Sequence, residues 1–255
     1  MLRRSFVLGL ATMSTGCGLL ANAFSEDIPT KPDPSTGERG KDEEKAIDEP
    51  GQHWLKTEHD DRQRESLLYI PEQDQGKPRP LVLAIHGSGG DASTFFEKHH
   101  FQDVCDKQGW IGLFPRTGKE AVNLDEPDDW TYIHKTLGRV LKTENIDKSR
   151  VFVVGFSGGC KKVYQIAARS SKHLTAVVVS GGRIGHKQFE EEWSPVNNNS
   201  SKLSLLHIHG GKDPKVPLEG GLDEKHDWMG VGMMEGLEIW AKHNGCSKIQ
   251  PKLLK

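Results

Sequence analysis

The sequence predicts an α/β fold, a mostly parallel sheet with helices on both faces. Three observations carry that prediction. Short apolar runs rich in β-branched residues recur at 81–85, 110–114, 151–154, 174–179 and 204–209, each of the length and character of a buried strand. Stretches with apolar residues at helical spacing separate them, and the connections are short. The run Val151–Val154 enters Gly155-Phe-Ser-Gly-Gly159 and continues into a helix-like stretch, a strand, turn and helix in immediate succession.

In chain order, Met1 to Ala23 has the form of an export signal. Arg3 and Arg4 precede an uncharged stretch from Phe6 to Leu20, and Ala21-Asn22-Ala23 is of the A-x-A type. Ser14-Thr15-Gly16-Cys17 offers an alternative, a lipid anchor on Cys17, although Ser14 stands where such a site favours Leu. Residues 24–52 are rich in Pro, Gly and acidic residues and read as a disordered linker, because they bury too little to offset chain entropy. The domain is expected over 53–255, with structure starting near Trp54. Strands are expected at 64–70 and 81–85, then a helix over 93–107 and a strand over 110–114. Asp128-Asp129 can cap a helix whose apolar face is Trp130, Ile133, Leu137, Val140 and Leu141. The strand ending at Val154 leads to a helix over 161–169, then a strand over 174–179. Residues 185–202 read as a polar surface loop or lid, 204–209 as a strand, and Met233, Leu237, Trp240 and Ala241 as the face of a last helix closed by Asn244-Gly245.

Composition narrows the function classes. The 255 residues suit one α/β domain with an appendage. A net charge of −2 with interspersed signs favours neither nucleic acid nor an anionic membrane as partner. Four cysteines form no Cys-x-x-Cys pair and no zinc-spaced cluster, so no metal is expected, and Cys105 and Cys160 read as small buried apolar groups. No G-x-G-x-x-G opens a helix, which argues against a dinucleotide fold.

The chemistry centres on Ser157. A serine between glycines two before and two after can occupy a sharp turn that lifts its hydroxyl above the sheet edge. The loop His86-Gly-Ser-Gly-Gly90 follows a strand's carboxyl end, where ligands bind in such sheets. The backbone N–H groups of Ser88 and Gly158 are the expected oxyanion donors, and His86 is expected to pack beneath its loop. Asp213, just past the 204–209 strand, is the candidate acid of a triad, against the plain alternative of a turn aspartate before proline.

Taken together, His86-Gly-Ser-Gly-Gly90, Asp128-Asp129, Gly155-Phe-Ser-Gly-Gly159, His207-Ile-His-Gly-Gly-Lys-Asp-Pro-Lys-Val-Pro217 and Trp240 with Asn244-Gly-Cys246 resemble the secreted α/β-hydrolase esterases of the poly(3-hydroxybutyrate) depolymerase and feruloyl esterase group. The resemblance spans roughly 64–246 and is most specific at Ile208-His-Gly-x-x-Asp-x-x-Val-Pro217. It implies an α/β-hydrolase fold, Ser157 as nucleophile, Asp213 as acid, a small or polymeric ester as substrate, no cofactor and a secreted or periplasmic location. It also exposes a departure. The triad runs Ser…Asp…His in this fold, and the group's histidine follows one further strand. Nine residues after Cys246 leave no room for that strand and loop, so the resemblance implies a C-terminally truncated member. Of the two histidines after Asp213, His243 ends a helix with a solvent-facing role expected, which leaves His226 as the candidate base. A hydrolase-fold protein without catalysis is the alternative, since a serine without a base is a poor nucleophile. A prolyl-peptidase-like activity is a third reading that no residue selects.

Overall fold

The structure, a computed structural model, describes residues 46–59, 61–73, 76–117, 129–184, 200–223, 228–230 and 232–246. All of them lie in one unit of the chain, Glu43–Lys255. The strands are β1 (Gly51–His59), β2 (Arg62–Ile70), β3 (Arg79–Ile85), β4 (Ile111–Pro115), β5 (Ile146–Phe156), β6 (Ala176–Ser180), β7 (Ser204–Ile208), β8 (Gly221–Asp223) and β9 (Trp228–Gly230). The helices are α1 (Ala92–Lys98), α2 (Phe101–Gln108), α3 (Asp129–Thr143), α4 (Gly159–Ser170) and α5 (Met233–Asn244), with a short 3-10 turn at Ser171–His173.

The main sheet has the order β1-β2-β4-β3-β5-β6-β7. From β4 to β7 every neighbouring pair is parallel, and β2 and β1 add an antiparallel arm. The expected mostly parallel sheet is therefore present. Side chains alternate between its faces, as the pleat requires. Leu81, Leu83 and Ile85 of β3 join one core with Val151, Val153, Tyr132, Val163, Tyr164 and Trp240. Val82 and Ala84, the intervening residues, join the other with Leu67, Tyr69, Phe96, Cys105 and Phe114. The first core is covered by α3, α4 and α5 and the second by α1 and α2, so both faces carry helices.

Four expectations need correction. The arm begins at Gly51, earlier than Trp54, and β1 was not foreseen as a strand. Its polar alternation, with Leu55 and His59 buried and Gln52, Trp54, Lys56 and Glu58 exposed, is that of an edge strand with one wet face. The single helix expected over 93–107 is two, because His100 takes a left-handed φ of +54° that ends the first and starts the second. The hairpin β8–β9 is an addition to the expected elements. Asp129 opens α3 from within its first turn, and Asp128 lies outside the described residues. Residues 1–45 and 185–199 also lie outside them, so neither the export signal, the Cys17 anchor, most of the linker nor the 185–199 part of the polar loop is described. Among the described residues, no helix is long and apolar enough to cross a membrane.

Candidate active site

The chain runs from β3 to β4 on one side, then returns so that β5 lies on the other side of β3. The crevice at the carboxyl ends of β3 and β5 is therefore a topological switch point, the place where open α/β sheets bind ligands. The loop after β3 is 86–90 and the turn after β5 holds Ser157.

Ser157 has φ +50°, a left-handed conformation that a non-glycine residue adopts at a cost in strain. Close packing imposes it. The Ser157 N–H donates to the Ser180 carbonyl at 2.9 Å, and the Cys160 N–H donates to the Ser157 carbonyl at 3.0 Å. A Cβ on Gly159 would lie 2.4 Å from the Ile85 carbonyl oxygen, and one on Gly182 would lie 2.2 Å from the Ser157 carbonyl oxygen. The glycines thus let the β3, β5 and β6 ends converge on the serine. The expected elbow is present, with Ser157 half-buried at its apex.

The 86–90 loop meets the elbow. A Cβ on Gly158 would stand 3.0 Å from the Ser88 amide nitrogen and 2.1 Å from its Oγ, so the two expected donors are neighbours. Among the described residues the Gly158 amide has no hydrogen-bond partner. The loop is fastened from both sides. His86 is buried, donates from Nδ1 to the Gly87 carbonyl at 2.8 Å and accepts at Nε2 from the Thr117 N–H at 3.2 Å. Burial lowers its pKa, so the ring is a neutral strut beneath the loop, as expected. Asp91 closes the other end, capping α1 through the Ser93 N–H at 3.0 Å and accepting from Arg116 Nε at 2.8 Å. Burial alone would raise its carboxyl, but the Ser93 hydroxyl and the Arg116 charge outweigh it and hold it at about 2. Arg116 also pairs with Glu65 and covers the Trp54 ring, which ties the loop to β1 and β2.

Asp213 sits in the loop after β7, on the same edge of the sheet. Its Oδ1 accepts from the N–H groups of Lys215 at 2.9 Å and Val216 at 3.1 Å. Slight burial raises its pKa, and these amides more than reverse it. The loop is clasped by a chain of side chains that the sequence did not disclose. His209 donates from Nε2 to the Val216 carbonyl at 2.7 Å, so its Nδ1 accepts from His207 Nε2 at 3.1 Å, and His207 Nδ1 accepts from the Tyr164 hydroxyl at 2.7 Å. Burial, then the neighbouring His209, lowers His207 to about 4, which keeps the His207 ring neutral. The clasp gives a physical reason for the spacing His-x-x-x-Asp-x-x-Val: His209 reaches across the Asp213 turn to Val216. That spacing was the one available signal.

Ser157, Ser88 and Gly158 come together, and Asp213 shares their edge of the sheet. No histidine among the described residues is hydrogen-bonded to the Asp213 carboxylate. His209 Nε2 is 4.0 Å from Asp213 Oδ2, and its proton is committed to Val216. His243 is not solvent-facing as expected, because its Nε2 is buried and its ring packs edge-on against Trp240. His226 lies outside the described residues. Cys105 and Cys160 are buried thiols, as expected, each pushed up to about 12 by burial.

A protein-family model described as Phospholipase/Carboxylesterase matches residues 125–227. The acylaminoacyl peptidase of Pyrococcus horikoshii superposes with a TM-score of 0.56 at 16% identity, covering 76% of this chain and 35% of that one. With the sheet order and the elbow, this match shows the class: the chain has the α/β-hydrolase fold. Among curated proteins, a probable feruloyl esterase C of Aspergillus niger is 26% identical over 197 residues, 72% of this chain and 67% of its own length. Feruloyl esterase C of Emericella nidulans is 27% identical over 172 residues, and the chain spans only 58% of its length. The resemblance to feruloyl esterases read from the motifs is thereby borne out.

Proposed function

We propose that this chain is a serine esterase in which Ser157 attacks the carbonyl carbon of a carboxylic ester. The observation that carries the reading is Ser157 at φ +50°, with Gly158 packed against the Ser88 backbone at the switch point. In this reading Ser157 Oγ bonds to the carbonyl carbon while its proton passes to a base. The carbonyl oxygen takes the negative charge and receives the Gly158 and Ser88 N–H groups, each worth about 3–4 kcal/mol of transition-state stabilisation. The alcohol leaves with the proton, and water then releases the acid from the acyl-enzyme. Asp213 orients the base. His226 is assigned as that base because His243 is packed against Trp240 with its Nε2 buried. The similarity to feruloyl esterases supports a feruloyl, acetyl or polyester substrate, small or polymeric. Residues 1–23 would export the chain, with a lipid anchor at Cys17 as the other form.

A fluorophosphonate probe should label folded protein at Ser157 and fail on Ser157→Ala. Unlabelled Ser157 in folded protein would refute the reading. The second reading is an impaired hydrolase, in which no histidine serves Ser157 as base. Turnover of a nitrophenyl ester that disappears in both Ser157→Ala and His226→Ala would exclude it.

A further inference from the structure

The 86–90 loop and the elbow meet residue against residue. A Cβ on Gly87 would lie 3.1 Å from Ser157 Cβ and 3.3 Å from the Phe156 carbonyl oxygen. One position on, a Cβ on Gly158 would overlap Ser88 Oγ and stand 3.0 Å from the Ser88 nitrogen and 3.3 Å from its Cβ. The backbone does not demand glycine at 158. Its φ of −58° and ψ of −25° are right-handed values open to any residue. What excludes a side chain there is the serine of the facing loop, whose hydroxyl takes the space.

Packing does not account for that hydroxyl. Ser88 is exposed, so its Oγ fills no hole in a core. Short polar side chains in tight loops ordinarily bond a backbone group nearby. Among the described residues Ser88 Oγ bonds none, neither in its own loop nor in the elbow. The loop is held instead at the Gly87 carbonyl, which accepts from the Gly90 N–H at 3.0 Å and from His86 Nδ1 at 2.8 Å. The Gly158 amide likewise has no partner among the described residues. Two residues in contact beside Ser157 thus each keep a donor uncommitted. The hydroxyl brings one property that an amide lacks: its proton rotates about the Cβ–Oγ bond, so it can follow an oxygen that moves as a planar carbonyl becomes tetrahedral.

We infer that the Ser88 side chain, and not its backbone alone, is catalytic: its Oγ–H donates a third hydrogen bond to the carbonyl oxygen as Ser157 Oγ bonds to the carbonyl carbon. The π pair of the carbonyl moves onto that oxygen, and the Ser88 proton stays on Oγ throughout. The inference deepens the reading of Ser157 as nucleophile and rests on it. It also gives Gly158 a purpose, since any side chain there would displace the hydroxyl.

The experiment measures the second-order rate of fluorophosphonate labelling on the full chain. Phosphonylation of Ser157 loads the phosphonyl oxygen with charge as ester attack loads the carbonyl oxygen. Ser88→Ala keeps the backbone amide and removes the hydroxyl. It should label about 100-fold more slowly than wild type, the low end for loss of one oxyanion donor. Ser88→Thr keeps a hydroxyl and should recover most of the rate. Ser88→Cys fills the same space with a weak donor and should be as slow as Ser88→Ala, and it carries the test if Ser88→Ala lowers the melting temperature. The phosphorus NMR resonance of phosphonylated Ser157 should also differ between wild type and Ser88→Ala, because a hydrogen bond to the phosphonyl oxygen is lost. Equal labelling of wild type and Ser88→Ala, a Ser88→Cys rate equal to wild type, equal slowing in all three variants, or an unmoved phosphorus resonance would overturn the third donor while leaving the nucleophile in place. A wild-type Ser157 that fluorophosphonate does not label would instead sink the esterase reading, and the third donor with it.

Discussion

Acidification should weaken this fold through His207 in a way that one variant can isolate. His207 accepts from the Tyr164 hydroxyl and donates to His209, and the Trp240 ring lies 6.1 Å from that of Tyr164. A proton on Nδ1 would displace the Tyr164 donor and place a charge beside His209 in a largely buried site. Its folded pKa is accordingly depressed, from an ordinary 6.5 to about 4. The sign follows from proton counts. Above pH 6.5 neither folded nor unfolded His207 is protonated, and its contribution is complete. Between about 6.5 and about 4 the unfolded chain takes up the proton and the folded one does not, so stability falls as pH falls. The gap corresponds to about 3 kcal/mol in total, of which about 2 kcal/mol is lost between pH 7 and pH 5. His86, His134 and His173 are also lowered by burial and steepen the overall slope, so wild-type data alone cannot assign it. His207→Gln removes the titration while leaving an acceptor for Tyr164. Urea unfolding at pH 7 and pH 5 should show a loss smaller by about 2 kcal/mol in the variant than in the wild type. Equal losses, or an NMR titration of His207 near 6.5, would refute the reasoning.

Three further outcomes are expected. Asp129 is buried between half-buried Arg64 and Lys162, so Asp129→Asn removes the carboxylate that both cations share and should destabilise by about 1–3 kcal/mol in urea unfolding. Gly182→Ala drives a Cβ to 2.2 Å from the Ser157 carbonyl oxygen and 2.4 Å from Cys160 Cβ. It should cost about 1–3 kcal/mol and slow fluorophosphonate labelling, because the displaced backbone carries the proposed nucleophile. Asp91→Ala removes the α1 cap and the Arg116 tie together, and should lower stability by about 1 kcal/mol while raising hydrogen exchange over 86–91.

The parallel sheet was legible because its strands are buried and announce themselves as apolar runs, Leu81–Ile85 and Val151–Val154 above all. The elbow was legible for a related reason: Gly155, Gly159 and Gly182 all stand where a Cβ would collide, so the motif is the imprint of close packing. The arm strand β1 was not, since half its residues face water and their polarity reads as loop. The break between α1 and α2 escaped because a left-handed histidine carries no signature comparable to glycine. The Tyr164–His207–His209 clasp joins residues 43 positions apart through a helix and a strand, a relation that no local pattern encodes. The motif around Asp213 recorded one end of it, the distance from His209 to Val216.

The two sides of the candidate site are held by different physics, and they should fail differently. On the Ser157 side, the serine and the Gly158 and Ser88 backbone are fixed by contacts that glycine alone permits, with His86 neutral beneath them. Those contacts involve no titrating group that faces Ser157 through a hydrogen bond. On the acid side the Asp213 turn depends on two amides to its carboxylate and on the His209 proton given to Val216. Protonating His207 breaks that chain at its middle and places charge beside His209, so acid near pH 4 should loosen the Asp213 loop before it disturbs the elbow. Hydrogen exchange would separate the two. Amides of Lys215 and Val216 should lose protection as pH drops toward 4, after correction for intrinsic rates, while those of Ser157 and Cys160 hold theirs. Simultaneous loss at all four would mean that the site opens as one unit, and the division argued from the contacts would be wrong.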